Sequence, residues 1–132
     1  MSHRTTRRVE FRHTDAAGII HFSSFFEYME EVEHEFLRSR GLSVVMRDEE
    51  GQLGWPRVSV HCDFRSVVKF EDILDIELSL ARRGDKSVTY AFTFTHQGRL
   101  VAEGQMTSVC CRLLPDHPPR AIPIPAWIVE KL

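Results

Sequence analysis

Cysteine is scarce in this chain of 132 residues: there are three, Cys62, Cys110 and Cys111. Three thiols cannot close a disulfide set, and a bridge between the adjacent pair would be strained, so reduced cysteines in a cytoplasmic protein are expected. None has metal-ligand spacing. Net charge is small as well. Lys and Arg number 17 against 19 Asp and Glu, a formal balance of −2, which removes the global attraction that DNA, RNA or an anionic membrane would exert, while a local basic cluster can still hold a phosphate. No nucleic-acid partner is expected. No apolar stretch approaches the roughly 20 residues of a membrane helix, so no membrane insertion is expected either. The basic start, Met1 to Arg8, runs into Val9-Glu10-Phe11-Arg12 and not into the apolar centre of a signal peptide. There is no internal repeat and no low-complexity tract. What is present, 42% hydrophobic and 27% charged residues, suffices for one core and is too little for two ordinary domains. Residues 1–132 are therefore expected to form a single domain.

Periodicity gives the elements. Thr5 to Arg12 can form a first strand with Val9 and Phe11 on one face. Ser24 and Glu27 have capping-box spacing, and Phe25, Met29, Val32 and Phe36 recur at helical intervals as far as Arg40, with Gly41 as the stop. A helix over 24–40 follows from this. A short helix near Val44 to Glu49 is a candidate in the next connection. From Arg57 the period becomes two: Val58, Val60, Cys62 and Phe64 share one face, which describes a strand covered on one side. Leu74, Ile76, Leu78 and Leu80 repeat the pattern, as do Val88, Tyr90, Phe92 and Phe94 after a turn at Arg83-Gly84-Asp85. Gln97-Gly98 is a hairpin-turn candidate, and Leu100 to Leu113 forms the last long strand, with Gly104 marking a bulge or a close backbone approach. Pro115, Pro118, Pro119, Pro123 and Pro125 then break regular pairing before a short terminal helix or turn. One strand, one long helix and four strands, β-α-β-β-β-β, make an α+β domain whose antiparallel sheet wraps a single helix, the order of a hotdog fold.

The segment with chemistry in it is Arg12-His-Thr-Asp-Ala-Ala-Gly-Ile-Ile-His-Phe22, which places Asp15 in a glycine-containing loop just ahead of the helix start. A carbonyl held between Asp15 and the unpaired N–H groups of the helix's first turn would meet a base or nucleophile on one side and oxyanion donors on the other. That geometry suits hydrolysis. Alone, Thr-Asp-Ala-Ala-Gly is also ordinary turn chemistry, in which Asp15 bonds its own backbone. Gly18 suits either a close approach of substrate or a positive φ. His21 is a donor near Asp15, a general acid for a departing group, or an exposed loop histidine. His61, on the polar face of its strand, is a candidate for lining the pocket.

This loop and the element order resemble the 4-hydroxybenzoyl-CoA thioesterase family of hotdog acyl-CoA thioesterases, including the bacterial enzymes associated with the Tol–Pal system. The match lies in Thr14-Asp15-Ala16-Ala17-Gly18-Ile19-Ile20, Phe25-Phe26 and the acidic helix. It continues more weakly through Gly54-Trp55-Pro56, Phe70-Glu71-Asp72, Lys86-Ser87 and Arg120-Ala121-Ile122. The resemblance implies an acyl-CoA substrate cleaved to a carboxylic acid and free coenzyme A, with no cofactor. It implies that Asp15 is the catalytic carboxylate, attacking the carbonyl or activating water, and that the backbone N–H near Phe22 polarises the carbonyl oxygen. It further implies that Arg82, Arg83, Lys86 and Arg120 hold the coenzyme A phosphates, often across a subunit boundary. In related folds an acidic residue on this helix supports or replaces the catalytic one; Asp15 already fills that role here, so Glu31 is an outside candidate. Tol–Pal-associated members often carry His seven residues after the Asp. Here that place is Phe22, as in the hydroxybenzoyl branch, and the histidine stands one earlier at His21.

Two further readings stand beside hydrolysis. One is a non-catalytic acyl-CoA-binding hotdog module, because fold alone does not imply turnover; a dehydratase is the weaker third, since it asks for a differently placed His and carboxylate pair. A lone hotdog unit leaves a sheet edge open, so a homodimer or homotetramer is expected.

Overall fold

The computed structural model describes residues 2–132. Five antiparallel strands form the large sheet in the spatial order β1 (Ser2–Arg8), β5 (Ile73–Arg83), β6 (Ser87–His96), β7 (Arg99–Val109) and β4 (Arg57–Phe64). Helix α1, Ser23–Ser39, lies on one face of it. The period-two apolar sets of β5 and β6 turn inward to meet that helix: Leu74, Ile76, Leu78, Tyr90, Phe92 and Phe94 are all buried, as are Phe25, Tyr28, Met29, Val32 and Phe36 on α1. Phe25 and Tyr28 pack on Phe94 at the end of β6, and Phe36 packs on Tyr90 near its start. The helix therefore runs antiparallel to β6, and its N-terminus lies at the opposite end of the sheet from the β5–β6 turn. Gln97 and Gly98 both take positive φ, 50° and 81°, as a two-residue hairpin turn of mirror-image type requires.

Gly104 on β7 shows why the helix can sit so close. A Cβ there would come within 2.1 Å of Met29 Cε and 3.2 Å of the His61 carbonyl oxygen, and Met29 is itself fully buried. Replacing Gly104 by Ala is expected to cost about 1–3 kcal/mol through overpacking, read as a lower urea midpoint with an unchanged m-value.

The structure departs from the sequence reading in five places. The first strand ends at Arg8, and a 3-10 turn over Phe11–His13 follows, so Val9 is buried while Phe11 is exposed. No side chain caps α1: Phe22 is the N-cap, and the Ser24 hydroxyl donates to the His13 carbonyl at 3.2 Å. In place of a short helix after Val44, β2 (Met46–Asp48) and β3 (Gly51–Gly54) form a hairpin that joins β8 (Cys111–Leu113) and β9 (Arg120–Ala121) in a second, four-stranded sheet. Glu50-Gly51 suits a turn better than a helix interior, and Gly51 takes φ +125°. The strand read as Leu100 to Leu113 is interrupted at Cys110, whose N–H is drawn to the Lys86 carbonyl at 2.7 Å. Finally, the apolar face of β4 is only partly covered: Val58 is 61% and Phe64 49% exposed. The last element, α2, spans Ala126–Val129. All three cysteines are free, and no helix among the described residues is long and apolar enough to cross a membrane.

Candidate active site

Asp15 sits in a loop that the backbone ties shut. Thr14 and Ile20 form an isolated antiparallel bridge, Asp15 N–H donates to the Ile19 carbonyl at 3.0 Å, and Gly18 N–H donates back to the Asp15 carbonyl at 2.9 Å. Gly18 takes φ +78°, and a Cβ there would meet nothing within 4 Å among the described residues, so backbone conformation and not crowding asks for glycine. The Asp15 side chain is 34% exposed. Its Oδ1 accepts the Ala17 N–H at 2.8 Å, the local bond of a turn aspartate, while Oδ2 lies 3.8 Å from His21 Nδ1. One carboxylate oxygen thus has no close partner among the described residues.

The start of α1 lies beside this loop because His21 N–H donates to the His13 carbonyl at 2.7 Å. Ser24 N–H is taken by the His21 carbonyl and Phe25 N–H by that of Phe22, whereas the N–H groups of Phe22 and Ser23 donate to no protein acceptor among the described residues. Unpaired amides at the positive end of a 17-residue helix are suited to a developing oxyanion. The flanking surface is aromatic: the Phe22 ring, 56% exposed, meets Phe64 edge-on at 6.4 Å.

Below the loop lies a buried pair absent from the sequence reading. His13 Nδ1 accepts the Glu10 N–H at 3.0 Å and stands 2.9 Å from the Tyr28 hydroxyl. Burial pushes the Tyr28 hydroxyl up to about 12, so it keeps its proton, and burial with Arg12 nearby holds the imidazole of His13 below the ordinary histidine value. A histidine two residues before the loop aspartate was the available signal. Nothing in its spacing distinguished a buried ring from an exposed one.

The other candidates lie elsewhere in the chain. Arg82, Arg83 and Lys86 are exposed around the β5–β6 turn, by the C-terminal end of α1, where Arg83 donates to the Val129 carbonyl at 3.4 Å. Arg120 lines a cavity of about 760 Å3 with Arg47, Arg112 and Trp127. These groups lie toward the far end of a helix about 25 Å long. A single chain therefore does not bring them to Asp15. His61 points to the outer face of the sheet, where it lines a small cavity with Asp63, Ala91 and Glu103. Glu31 pairs with Arg7 at 3.0 Å.

An antiparallel sheet with a single long helix along one face, and a carboxylate loop set against that helix's N-terminus, define an α+β protein of the hotdog class. The model of the Thioesterase-like superfamily matches residues 9–132; the chain belongs to that family, and with it to the thioester hydrolases. It is 32% identical over 111 residues to a 1,4-dihydroxy-2-naphthoyl-CoA hydrolase of Synechococcus sp. (strain WH7803), an alignment covering 79% of this chain and 72% of that protein. A similarity to an Aquifex aeolicus (strain VF5) protein bearing an esterase name, 33% identical over 90 residues, covers 68% of this chain and 66% of the relative. Among solved structures, a gentisyl-coenzyme A thioesterase superposes with TM-score 0.83 at 29% identity, covering 98% of both chains. A 1,4-dihydroxy-2-naphthoyl-CoA thioesterase from Synechocystis shares the fold with TM-score 0.86 at 21% identity, covering 99% of this chain and 95% of that one.

Proposed function

We propose that this chain, as one catalytic domain over residues 1–132, hydrolyses an acyl-CoA thioester to a carboxylic acid and free coenzyme A. The observation that carries this reading is an Asp15 Oδ2 with no hydrogen bond among the described residues, on a loop fastened to the helix start where the Phe22 and Ser23 N–H groups are likewise unpaired. In one form of the reaction Oδ2 attacks the thioester carbon, the C–S bond breaks, coenzyme A leaves as thiolate, and water then cleaves the acyl anhydride. In the other, Oδ2 takes a proton from the water that attacks. Either way the carbonyl oxygen gains charge against the Phe22 N–H, and no cofactor is called for. His21 is placed to accompany Asp15, and Gly18 keeps the loop in its positive-φ turn. The exposed rings of Phe22 and Phe64 favour an aromatic acyl group, in keeping with the aromatic acyl-CoAs named for the hydrolase and the gentisyl-CoA thioesterase above.

The site is completed in this reading by a second copy of the chain. Strand β4 is an edge of the large sheet, and its exposed Val58, Val60 and Phe64 lack cover. Antiparallel pairing of β4 with its own copy extends the sheet and brings the partner's opposite end toward Asp15. Arg82, Arg83, Lys86 and Arg120 then hold coenzyme A phosphates from across the boundary, and a homodimer is the smallest working unit, alone or within a homotetramer. Removing the charges of Lys86 and Arg120 together is expected to raise KM about tenfold or more with kcat little changed, because phosphate contacts bind ground and transition states alike.

Thiol release from a panel of acyl-CoAs tests the activity, with turnover of 4-hydroxybenzoyl-CoA expected to exceed that of hexanoyl-CoA. The bond from Ala17 N–H to Asp15 Oδ1 favours one rival, a non-catalytic acyl-CoA-binding module in which Asp15 only shapes its turn. Tight binding with no thiol release from any member of the panel would establish the rival.

A further inference from the structure

The His13–Tyr28 pair is placed where it can govern the loop without touching substrate. His13 is 5% exposed. Its carbonyl and its ring each meet two donors. The carbonyl accepts His21 N–H at 2.7 Å and the Ser24 hydroxyl at 3.2 Å, which fastens the loop to the first turn of α1. The ring accepts Glu10 N–H at Nδ1, and the His13 backbone N–H donates in return to the Glu10 carbonyl at 2.9 Å and to its carboxylate. Because a backbone N–H can only donate, Nδ1 carries no proton, and the Tyr28 hydroxyl at 2.9 Å shares its one lone pair as the second donor of a three-centre bond. The ring proton therefore belongs on Nε2. Tyr28 in turn is held against Phe25 and Phe94 in the core.

We propose that His13 and Tyr28 are positioning residues of the Asp15 loop, the neutral imidazole acting as a two-donor acceptor that locks the carbonyl on which the start of α1 is hung. This rests on the thioesterase reading for its effect on turnover and on the geometry alone for its effect on the loop. A second proton on the ring would occupy Nδ1. It would face the Glu10 N–H head-on, and would reverse the bond from Tyr28. The charged and titratable groups around the pair are Glu10 and Arg12 on its own segment, Glu27 and Glu31 on α1, Arg7 on β1, and Asp15 and His21 in the loop. From β6 the neighbour is the apolar ring of Phe94, and the segment before β5 meets the loop through the Val68 carbonyl. Burial lowers the imidazole's affinity for a proton below that of an unfolded histidine. The sign follows from linkage: loop order is fully kept above the unfolded value of about 6.5 and is lost as pH falls through the lower folded-state value of His13.

The test compares the wild type with His13→Asn, which keeps an acceptor near Nδ1 and does not titrate, and with Tyr28→Phe, which removes one donor. Two readouts are taken from pH 8 to pH 5: kcat and KM on 4-hydroxybenzoyl-CoA, and hydrogen exchange of the Gly18 and His21 amides corrected for the intrinsic rate. In the wild type, kcat and amide protection are expected to fall together while KM holds. The Asn variant is expected to keep kcat at pH 8 within about threefold and to lose the shared acid step. Tyr28→Phe is expected to lower kcat about tenfold through a loosened loop and to move the step to higher pH. An acid step that is the same in the wild type and in the Asn variant, or one carried by KM, overturns the proposal. If the wild type releases thiol from no acyl-CoA, the thioesterase reading fails, and the exchange data alone decide the role of His13.

Discussion

Asp15→Asn is expected to lower kcat for thioester hydrolysis by a factor on the order of 10²–10⁴ while leaving KM and acyl-CoA binding nearly unchanged. The substitution isolates charge from shape. Asn keeps an oxygen that can accept the Ala17 N–H now taken by Oδ1, so the turn, the positive-φ Gly18 and the start of α1 persist. What disappears is the anionic oxygen that attacks carbon or takes a proton from water. Steady-state thiol release, isothermal titration with the intact thioester and a urea melt separate the three quantities. Loss of binding or of stability in step with kcat would show that Asp15 shapes its turn and does nothing more.

Arg57→Met is expected to destabilise the fold by about 3 kcal/mol at pH 8. Glu33 on α1 is almost wholly buried, and its carboxylate is bonded by the Arg57 guanidinium from the first residue of β4. Arg57 also donates to the Trp55 carbonyl at 2.7 Å, and Glu30 approaches it at 3.8 Å. Burial, opposed by Arg57, raises Glu33 to about 7. A carboxyl raised in the folded state favours folding most below its unfolded value of about 4.5, and that contribution is lost as pH rises toward 7. Without Arg57 nothing offsets the burial, so at pH 8 Glu33 must either carry an unpaired charge or take up a proton from solvent, and each costs stability, whereas at pH 5 it is already neutral. The loss in Arg57→Met should therefore shrink at pH 5, and adding Glu33→Gln should recover most of it at pH 8. Urea melts at matched protein concentration read both effects. A loss that is the same at the two pH values, or that survives Glu33→Gln, would place the role of Arg57 in the β4 edge and not in the ion pair.

Much of this architecture was legible because two periods are hard to mistake. Phe25, Met29, Val32 and Phe36 recur at helical spacing and all face the sheet, and the alternation through Leu74 to Leu78 and Tyr90 to Phe94 sets which side of each strand is buried. Periodicity says that a face is apolar and is silent on what covers it. Hence Val58 and Phe64 read as core and are exposed in the folded chain. The hairpin of β2 and β3 was missed for a related reason, since it is held by pairing with β8, some sixty residues away in the chain. Ser24 and Glu27 have capping-box spacing, but the Ser24 hydroxyl is drawn to the His13 carbonyl by tertiary contact. The Asp15 loop was readable as a motif, whereas its support, His13 on Tyr28, comes from residues fifteen apart that meet only in the folded chain.

A structure of Asp15→Asn with 4-hydroxybenzoyl-CoA bound puts the central claim to the test. The account requires the thioester carbonyl oxygen within about 3 Å of the Phe22 N–H, with the carbonyl carbon facing the side chain at position 15. A thioester bound away from this loop, or turned so that its oxygen meets solvent, would contradict it.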